Sequence, residues 1–452
     1  MDINLPMPIV SAINALEDEG YRAFIAGSCV RELLLGNTPV DYDVITNAGV
    51  SDIEYVFRDF RLSKLNVQRG EILVIIKGYT ILVTPYRASV VGDSVVYTDD
   101  ILADLRRRGF TINSMAYNPR KGLIDSFFGK ESIIEKSAVV QVISRTKAQG
   151  MMIFEQDTFS KSPINILKAL RYISENAFTI DEKTLALIKE NKELIKLISS
   201  NDIKAELDRI ICGKNVLNVF EIFAFILTEI IVDINKMIGI DKVGNCDLYT
   251  RVSRAISSVP PILEVRYALL FRYSGVYDCI SYDYKGNKHY FGMKERSRLI
   301  ARSSLNSLGY SNNFIDSVDT LIDAMDVSLK HDRIHIKRLM AKYGHEMTKW
   351  LCYCAYGEGK GMNNNKLKDC ARKCLDEIDD ILAKKECYDI PMLAINAIDL
   401  VRERIVNKIS ASNLLSALLN VVLEHPGMNT KIILLEMARK IVEENRKNKV
   451  KR

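Results

Sequence analysis

The hydrophobic rhythm of the chain changes near residue 145. Before that point short β-branched runs alternate with helical stretches. Residues 67–76 and 79–83 are two such runs divided by Lys77-Gly78, which predicts a hairpin. Residues 139–143 form a further run of the same kind. From about residue 150 onward, apolar positions recur three or four apart, as in residues 164–176, 185–199 and 203–212, and predict helices with few interruptions. Pro260-Pro261 breaks that pattern, and residues 357–365, Gly-Glu-Gly-Lys-Gly-Met-Asn-Asn-Asn, read as a linker. The fold class is therefore α+β: a mixed head, then an all-helical remainder.

Within the head, residues 24–43 carry the densest chemistry. Phe24 and Ile25 end a buried strand, and Gly27-Ser28 lets the backbone approach a ligand closely. Residues 29–35 have helical spacing, so the first N–H groups of that helix face Gly27-Ser28 and favour an anion such as phosphate. Gly36 stops the helix, and Pro39 turns the chain into a strand on which Asp41 and Asp43 point to the same face. Two aimed carboxylates beside a phosphate cradle suit metal-assisted phosphoryl transfer. Asp-x-Asp alone is weak evidence; its place after the glycine turn and the helix gives it weight.

Length and composition narrow the class without choosing the function. A chain of 452 residues is long enough for two to four domains. A net charge of +6 is compatible with nucleic acid but does not argue for it. Long apolar runs are absent, which predicts no membrane span, and the N-terminus has no signal-peptide pattern, so a cytoplasmic location is expected. Nine cysteines at irregular spacing read as reduced thiols; Cys352, Cys354, Cys370 and Cys374 do not have the spacing of a common zinc motif. His331-Asp332 is the only His-Asp pair, and its surroundings do not match a phosphohydrolase pattern.

A second loaded segment, residues 104–118, reads Asp-Leu-Arg-Arg-Arg-Gly-Phe-Thr-Ile-Asn-Ser-Met-Ala-Tyr-Asn. Three consecutive arginines cannot share one face of a regular element, while Phe110, Ile112 and Met115 turn inward. The planar guanidinium can bind phosphate oxygens in pairs.

These segments together resemble the class II CCA-adding tRNA nucleotidyltransferases and bacterial poly(A) polymerases of the polymerase-β superfamily. The family's Gly-Gly-x-Val-Arg-Asp, Leu-Leu-Gly and Asp-x-Asp appear as residues 27–32, 34–36 and 41–43, and its Asp-Leu-x-Arg-Arg-Asp-Phe-Thr-x-Asn as residues 104–113. Residues 163–172 are similar to the helix that opens the family's neck, residues 334–344 to a body segment, and residues 393–400 and 422–435 to the tail of the CCA-adding branch. The resemblance implies a nucleotidyltransferase head at 1–145, a helical neck at 146–215, a helical body at 216–356 and a helical, tRNA-binding tail at 366–452.

It also implies roles. Asp41 and Asp43 would be the catalytic metal ligands for magnesium. Gly27, Ser28, Arg31, Arg107, Arg108, Asn113, Asn165, Lys168 and Arg171 would bind the nucleotide. The expected activity is addition or repair of the 3′-terminal CCA of tRNA from CTP and ATP, with tRNA as partner.

The departures from the pattern are as informative. Where the family has Glu-Asp-x-x-Arg to select the incoming base, this chain has Lys161, Ser162 and Asn165. Gly109 replaces the aspartate after Arg-Arg, Ser132 replaces the aspartate of Gly-x-x-Asp-Leu, and Leu82 replaces a strand acid ahead of Thr84 and Arg87. Asn201-Asp202 stand where the neck has Glu-Arg. Two further readings follow: a polymerase that adds A or another nucleotide to RNA, and a catalytically impaired tRNA-binding paralogue.

Overall fold

The computed structural model describes residues 3–91, 94–134, 158–241 and 246–450. Its chain forms two compact units, Met1–Val219 and Phe220–Arg452. Residues 139–143, expected as a strand, lie outside the described residues.

The first unit is built on a seven-stranded mixed sheet. Its strands are β1 (Ala23–Ala26), β2 (Tyr42–Thr46), β3 (Arg61–Asn66), β4 (Glu71–Ile76), β5 (Tyr79–Pro85), β8 (Ala116–Asn118) and β9 (Gly122–Ile124), in the order β3-β4-β5-β2-β1-β8-β9. A separate two-stranded ribbon pairs β6 (Arg87–Val91) with β7 (Ser94–Tyr97). The hairpin expected at Lys77-Gly78 joins β4 and β5; both turn residues have positive φ, as a tight two-residue turn requires. β2 runs parallel to β5 and antiparallel to β1. The end of β1 and the start of β2 therefore share one edge of the sheet, and the helix between them, α2 (Ser28–Leu34), sits at that edge.

Helix α1 (Met7–Asp18) buries Ile9, Ala12, Ile13 and Leu16, an apolar stripe at helical spacing. α3 (Val50–Val56), α4 (Ile101–Arg106) and α5 (Gly129–Ile134) complete the head, around a core that includes Phe24, Ala26, Ile45, Tyr86, Leu105 and Ala116. The remainder of the unit is α6 (Thr158–Lys161), α7 (Ile164–Asn176), α8 (Glu182–Glu190) and α9 (Ser200–Cys212). Residues 185–199 are not one helix. Asn191 returns its side-chain amide to the Leu187 carbonyl at 2.8 Å, ending α8, and Lys192–Leu197 continues as a 3-10 turn. α7 packs along α9, where Ser174 Oγ donates to the Ile210 carbonyl at 2.6 Å and a Cβ on Gly213 would overlap Ser174.

Among the described residues the second unit is helical, with one small hairpin. Helix α10 (Val216–Ile222) runs across the boundary in the chain, followed by α11 (Ala224–Ile230), α12 (Leu248–Ser257) and α13 (Leu263–Phe271). Strands β10 (Ser281–Tyr282) and β11 (Lys288–His289) form the hairpin. Then come α14 (Met293–Ser307), α15 (Asn312–Ala324), α16 (Arg333–Tyr343), α17 (His345–Gly361), α18 (Asn365–Ala383), α19 (Ala397–Arg402), α20 (Lys408–Glu424) and α21 (Lys431–Val450).

The expected linker at 357–365 is instead the end of α17 and a turn of three residues. A Cβ on Gly357 would lie 3.0 Å from Leu269 Cδ1 and Val259 Cγ1, and one on Gly361 would lie 2.4 Å from the Arg251 carbonyl oxygen. The glycines thus permit close helix contact rather than flexibility. Asn364 starts α18 by accepting from the Leu367 N–H at 3.1 Å. Cys352, Cys354 and Cys374 are buried in this helical core, and Asp332 caps α16 through the His335 N–H at 2.7 Å.

Candidate active site

The sheet edge shared by β1, β2 and β8 places the first group of residues. Gly27, at φ 82°, leaves β1 and opens α2, and its N–H donates to the Met115 carbonyl at 3.1 Å. A Cβ there would fall 2.6 Å from Arg108 Nη1, so only glycine permits both this backbone angle and this approach of the guanidinium. Asp43 stands near the start of β2, opposite Leu82 of the parallel strand. Its carboxyl is pushed above the ordinary aspartate range by burial first; Asp41 and Glu71 push the same way, and Arg108 and Arg87 oppose them. Asp41 is exposed and immediately precedes β2.

The arginine run is organised by Asp104, a fully buried residue of α4. Arg107 donates to one of its carboxylate oxygens from Nε at 3.1 Å and Nη2 at 2.9 Å, and Arg108 to the other from Nε at 3.1 Å and Nη2 at 2.9 Å. The Arg87 N–H adds a bond at 3.1 Å. Burial alone would raise the Asp104 pKa, but these cations and this donor outweigh it and hold the carboxyl below its usual range. Burial pushes Arg107 down to about 10 against the pull of Asp104. Burial also works against the Arg108 charge, yet Asp104 and Asp43 overcome it and raise its pKa. Arg106 is exposed and lines the same cleft as Arg107 and Arg108, so the three arginines reach one space despite their successive positions, and only the latter two are tied to Asp104.

Arg31 is 2% exposed and is engaged inside the protein. It donates to Glu32 Oε1 at 3.0 and 2.8 Å and to the Asn113 side-chain oxygen, and its guanidinium lies 4.8 Å from the Tyr172 ring centroid. Asn113 in turn donates to the Tyr172 hydroxyl at 2.8 Å. Arg171 covers the same ring at 4.5 Å and donates to Glu206 at 2.6 Å and Glu175 at 3.3 Å. This chain of contacts ties α2 and the 3-10 turn at Thr111–Asn113 to α7.

Between these elements opens a cleft of about 910 Å³. Gly27, Ser28, Asp43, Arg107, Arg108, Asn113, Asn165, Lys168 and Arg171 line it, as do Lys161 and Ser162. Arg31 and Asp41 are not among its lining residues. Asp104, Tyr172 and Glu206 were not singled out in the sequence. For Asp104 a signal existed: it lies three and four residues ahead of Arg107 and Arg108, which is the helical pairing interval.

The departures fall in different places. Asn165 lies against Gly109, and Leu82 lies beside Asp43. Ser132 is buried away from the cleft, with its hydroxyl bonded to Phe128 O at 2.9 Å and to Thr111 Oγ1 at 3.1 Å. Asp202 lines the cleft from α9.

The donor set fits a hard divalent cation. Asp41 and Asp43 offer carboxylate oxygens two residues apart, and Asp43 carries an unfavourable buried charge that a cation would relieve. Among the described residues no group of three or more potential ligands gathers.

Comparison with known proteins agrees with this geometry. Residues 23–139 match the poly(A) polymerase head domain, and residues 177–223 match a probable RNA- and SrmB-binding site of polymerase A. Over these segments the chain is similar to the class II CCA-adding enzymes and bacterial poly(A) polymerases. Among curated members, the CCA-adding enzyme of Lactobacillus delbrueckii subsp. bulgaricus is 30% identical over 223 residues, covering 48% of this chain and 52% of that one. That of Enterococcus faecalis is 29% identical over 214 residues, 46% and 49%. The chain therefore matches about half the length of these relatives. The fold extends further. The Bacillus stearothermophilus CCA-adding enzyme in complex with CTP superposes with a TM-score of 0.69 at 18% identity, over 98% of both chains. The Thermotoga maritima enzyme complexed with tRNA gives 0.57 at 16%, over 97% of both. The mixed-sheet head followed by a helical remainder is thus a fold shared with these solved structures. Among the described residues no helix is long and apolar enough to cross a membrane.

Proposed function

We propose that this protein is an RNA nucleotidyltransferase that completes the 3′-terminal CCA of tRNA from CTP and ATP. The observation that carries the reading is one cleft lined by Asp43, by the Gly27-Ser28 turn, by Arg107 and Arg108, and by Asn165 and Lys168. Gly27 and Ser28 hold the triphosphate at the start of α2, whose first backbone N–H groups have no side-chain cap. Arg107 and Arg108, fixed by Asp104, present guanidinium to phosphate oxygens without losing side-chain freedom on binding. Asn165, Ser162 and Lys161 lie along the side of the cleft where the base would sit. Asp41 and Asp43 would hold magnesium, which when bound would offset the charge on the reacting phosphate and make the RNA 3′-hydroxyl more acidic.

In the reaction the RNA 3′-oxygen bonds to the α-phosphorus, the α–β phosphoanhydride breaks, and pyrophosphate leaves. This chain's residues orient the triphosphate in line and keep opposing charge on the leaving oxygens. The domain boundaries proposed from the sequence, 1–145, 146–215, 216–356 and 366–452, place this chemistry in the head and neck, with RNA along the remainder.

The test is a transfer assay with a tRNA transcript lacking its 3′ end, magnesium and each nucleoside triphosphate separately. CTP incorporation followed by ATP, lost in Asp41→Ala, supports the reading. RNA binding without transfer from any triphosphate would sink it and leave the binding paralogue. A second enzyme reading is favoured by Lys161, Ser162 and Asn165 lining the cleft in place of Glu-Asp-x-x-Arg: the same chemistry with a different nucleotide preference. Transfer from one triphosphate alone would identify it.

A further inference from the structure

The small hairpin of the second unit has no place in this chemistry, and its composition is unusual for a solvent-exposed element. Over residues 277–291 the large exposed hydrophobics are all aromatic: Tyr277 at 57%, Tyr282 at 66%, Tyr284 at 92% and Phe291 at 77%. Exposed rings of this kind cost solvation and are retained where they meet something.

The hairpin is also rigid. Asp283 accepts from the backbone N–H groups of Lys285 and Asn287 at 2.8 and 2.9 Å and from the Asn287 amide at 2.8 Å, which closes the tip. At the root, Asp241 accepts from Lys288 at 3.0 Å and from the Tyr290 hydroxyl. His289 stacks on Phe291 with centroids 5.3 Å apart and planes 18° apart. Rings held this way bind a partner with little further loss of freedom.

We propose that this hairpin is a stacking platform for unpaired bases of RNA. Two observations choose that occupant. The large exposed apolar side chains of the segment are all flat rings, which suits base faces better than a mixed protein interface. The tip also carries Lys285, whose ammonium lies 5.3 Å from the Tyr284 ring, placing a cation where the phosphate of a stacked nucleotide would run. The contact goes beyond the transfer site, because every residue in it lies in the second unit.

The experiment measures binding of a short, unstructured, labelled RNA oligonucleotide to the full chain without nucleoside triphosphate. Tyr282→Ser/Tyr284→Ser changes two exposed positions and should leave the thermal midpoint in place. The double variant should bind the oligonucleotide about five-fold more weakly or worse. An abasic oligomer of the same length should bind both proteins alike, and Lys285→Gln should flatten the salt dependence. Equal affinity of the two proteins for the base-containing oligomer overturns the proposal. So does an equal loss with the abasic one, or a wild-type dimer that the double variant abolishes, which would make the hairpin a protein interface. Repeating the measurement in Asp41→Ala separates this contact from the proposed transfer reaction: binding through the hairpin persists there whether or not transfer occurs.

Discussion

Gly109 and Asn165 fill one space. A Cβ on Gly109 would lie 3.1 Å from the Asn165 amide nitrogen, and the glycine sits at φ 80°. Both positions depart from the family pattern, which has an aspartate at the first and an arginine at the second. Their contact makes them one coupled change rather than two.

That coupling is measurable. Gly109→Asp should lower stability by about 1–3 kcal/mol, from backbone strain and crowding against Asn165 and Thr158. Asn165→Arg added to it should recover part of the loss by giving the carboxylate a guanidinium partner. A double-mutant cycle by urea denaturation tests this, and additivity within about 0.5 kcal/mol would show the sites to be independent.

Gly27→Ala should retain the fold and lose function. The new methyl would collide with Arg108 Nη1 and would require an alanine at φ 82°. Stability should fall by about 1–2 kcal/mol while transfer, in the assay above, drops by roughly two orders of magnitude as Arg108 leaves the cleft. An active Gly27→Ala protein would remove the cradle from the mechanism.

Asp104→Asn should cost about 2–4 kcal/mol at neutral pH, because two partly buried guanidinium groups lose their shared, fully buried partner. The pH dependence has a definite sign. The folded pKa of Asp104 lies below the usual aspartate value of 3.8, so its ionised form stabilises the fold above that value, and the contribution disappears as pH falls through the folded pKa. Wild type and variant should therefore differ by a constant amount at neutral pH and converge only below about 3.8. Thermal midpoints across pH 3 to 7, a range of about four units, would show it.

Gly361→Ala should be destabilising by about 1–3 kcal/mol, since the added Cβ would meet the Arg251 carbonyl oxygen at 2.4 Å. If the segment were a flexible linker, the same change would be neutral or slightly stabilising, because alanine favours helix and restricts the unfolded chain. The sign of the change in urea midpoint decides between the two.

The architecture was legible because burial leaves a local trace. The switch from β-branched runs to three-four spacing marks the head and the helices, and Lys77-Gly78 marks its hairpin. Composition at 357–365 misled for a physical reason: glycine serves both flexibility and close approach, and only the neighbour, here Arg251, distinguishes them. Asp43, Ser28 and Arg108 could be selected by motif, but the position of Asn165 against Gly109 depends on how α7 folds back, which no local pattern states. Asp104 looked like one acid of a motif until its burial showed that it holds two arginines.

The Arg31 and Arg171 guanidinium groups lie 4.8 and 4.5 Å from the Tyr172 ring centroid, while the Tyr172 hydroxyl accepts from Asn113. Residues far apart in the chain thereby share one joint, and its parts cannot be exchanged separately. A chimera that takes the first helices of the neck from a relative must bring a tyrosine at this position, or change Arg31 and Asn113 with it. The seam for modular grafting in this protein therefore lies beyond α7, not at the apparent boundary between head and neck.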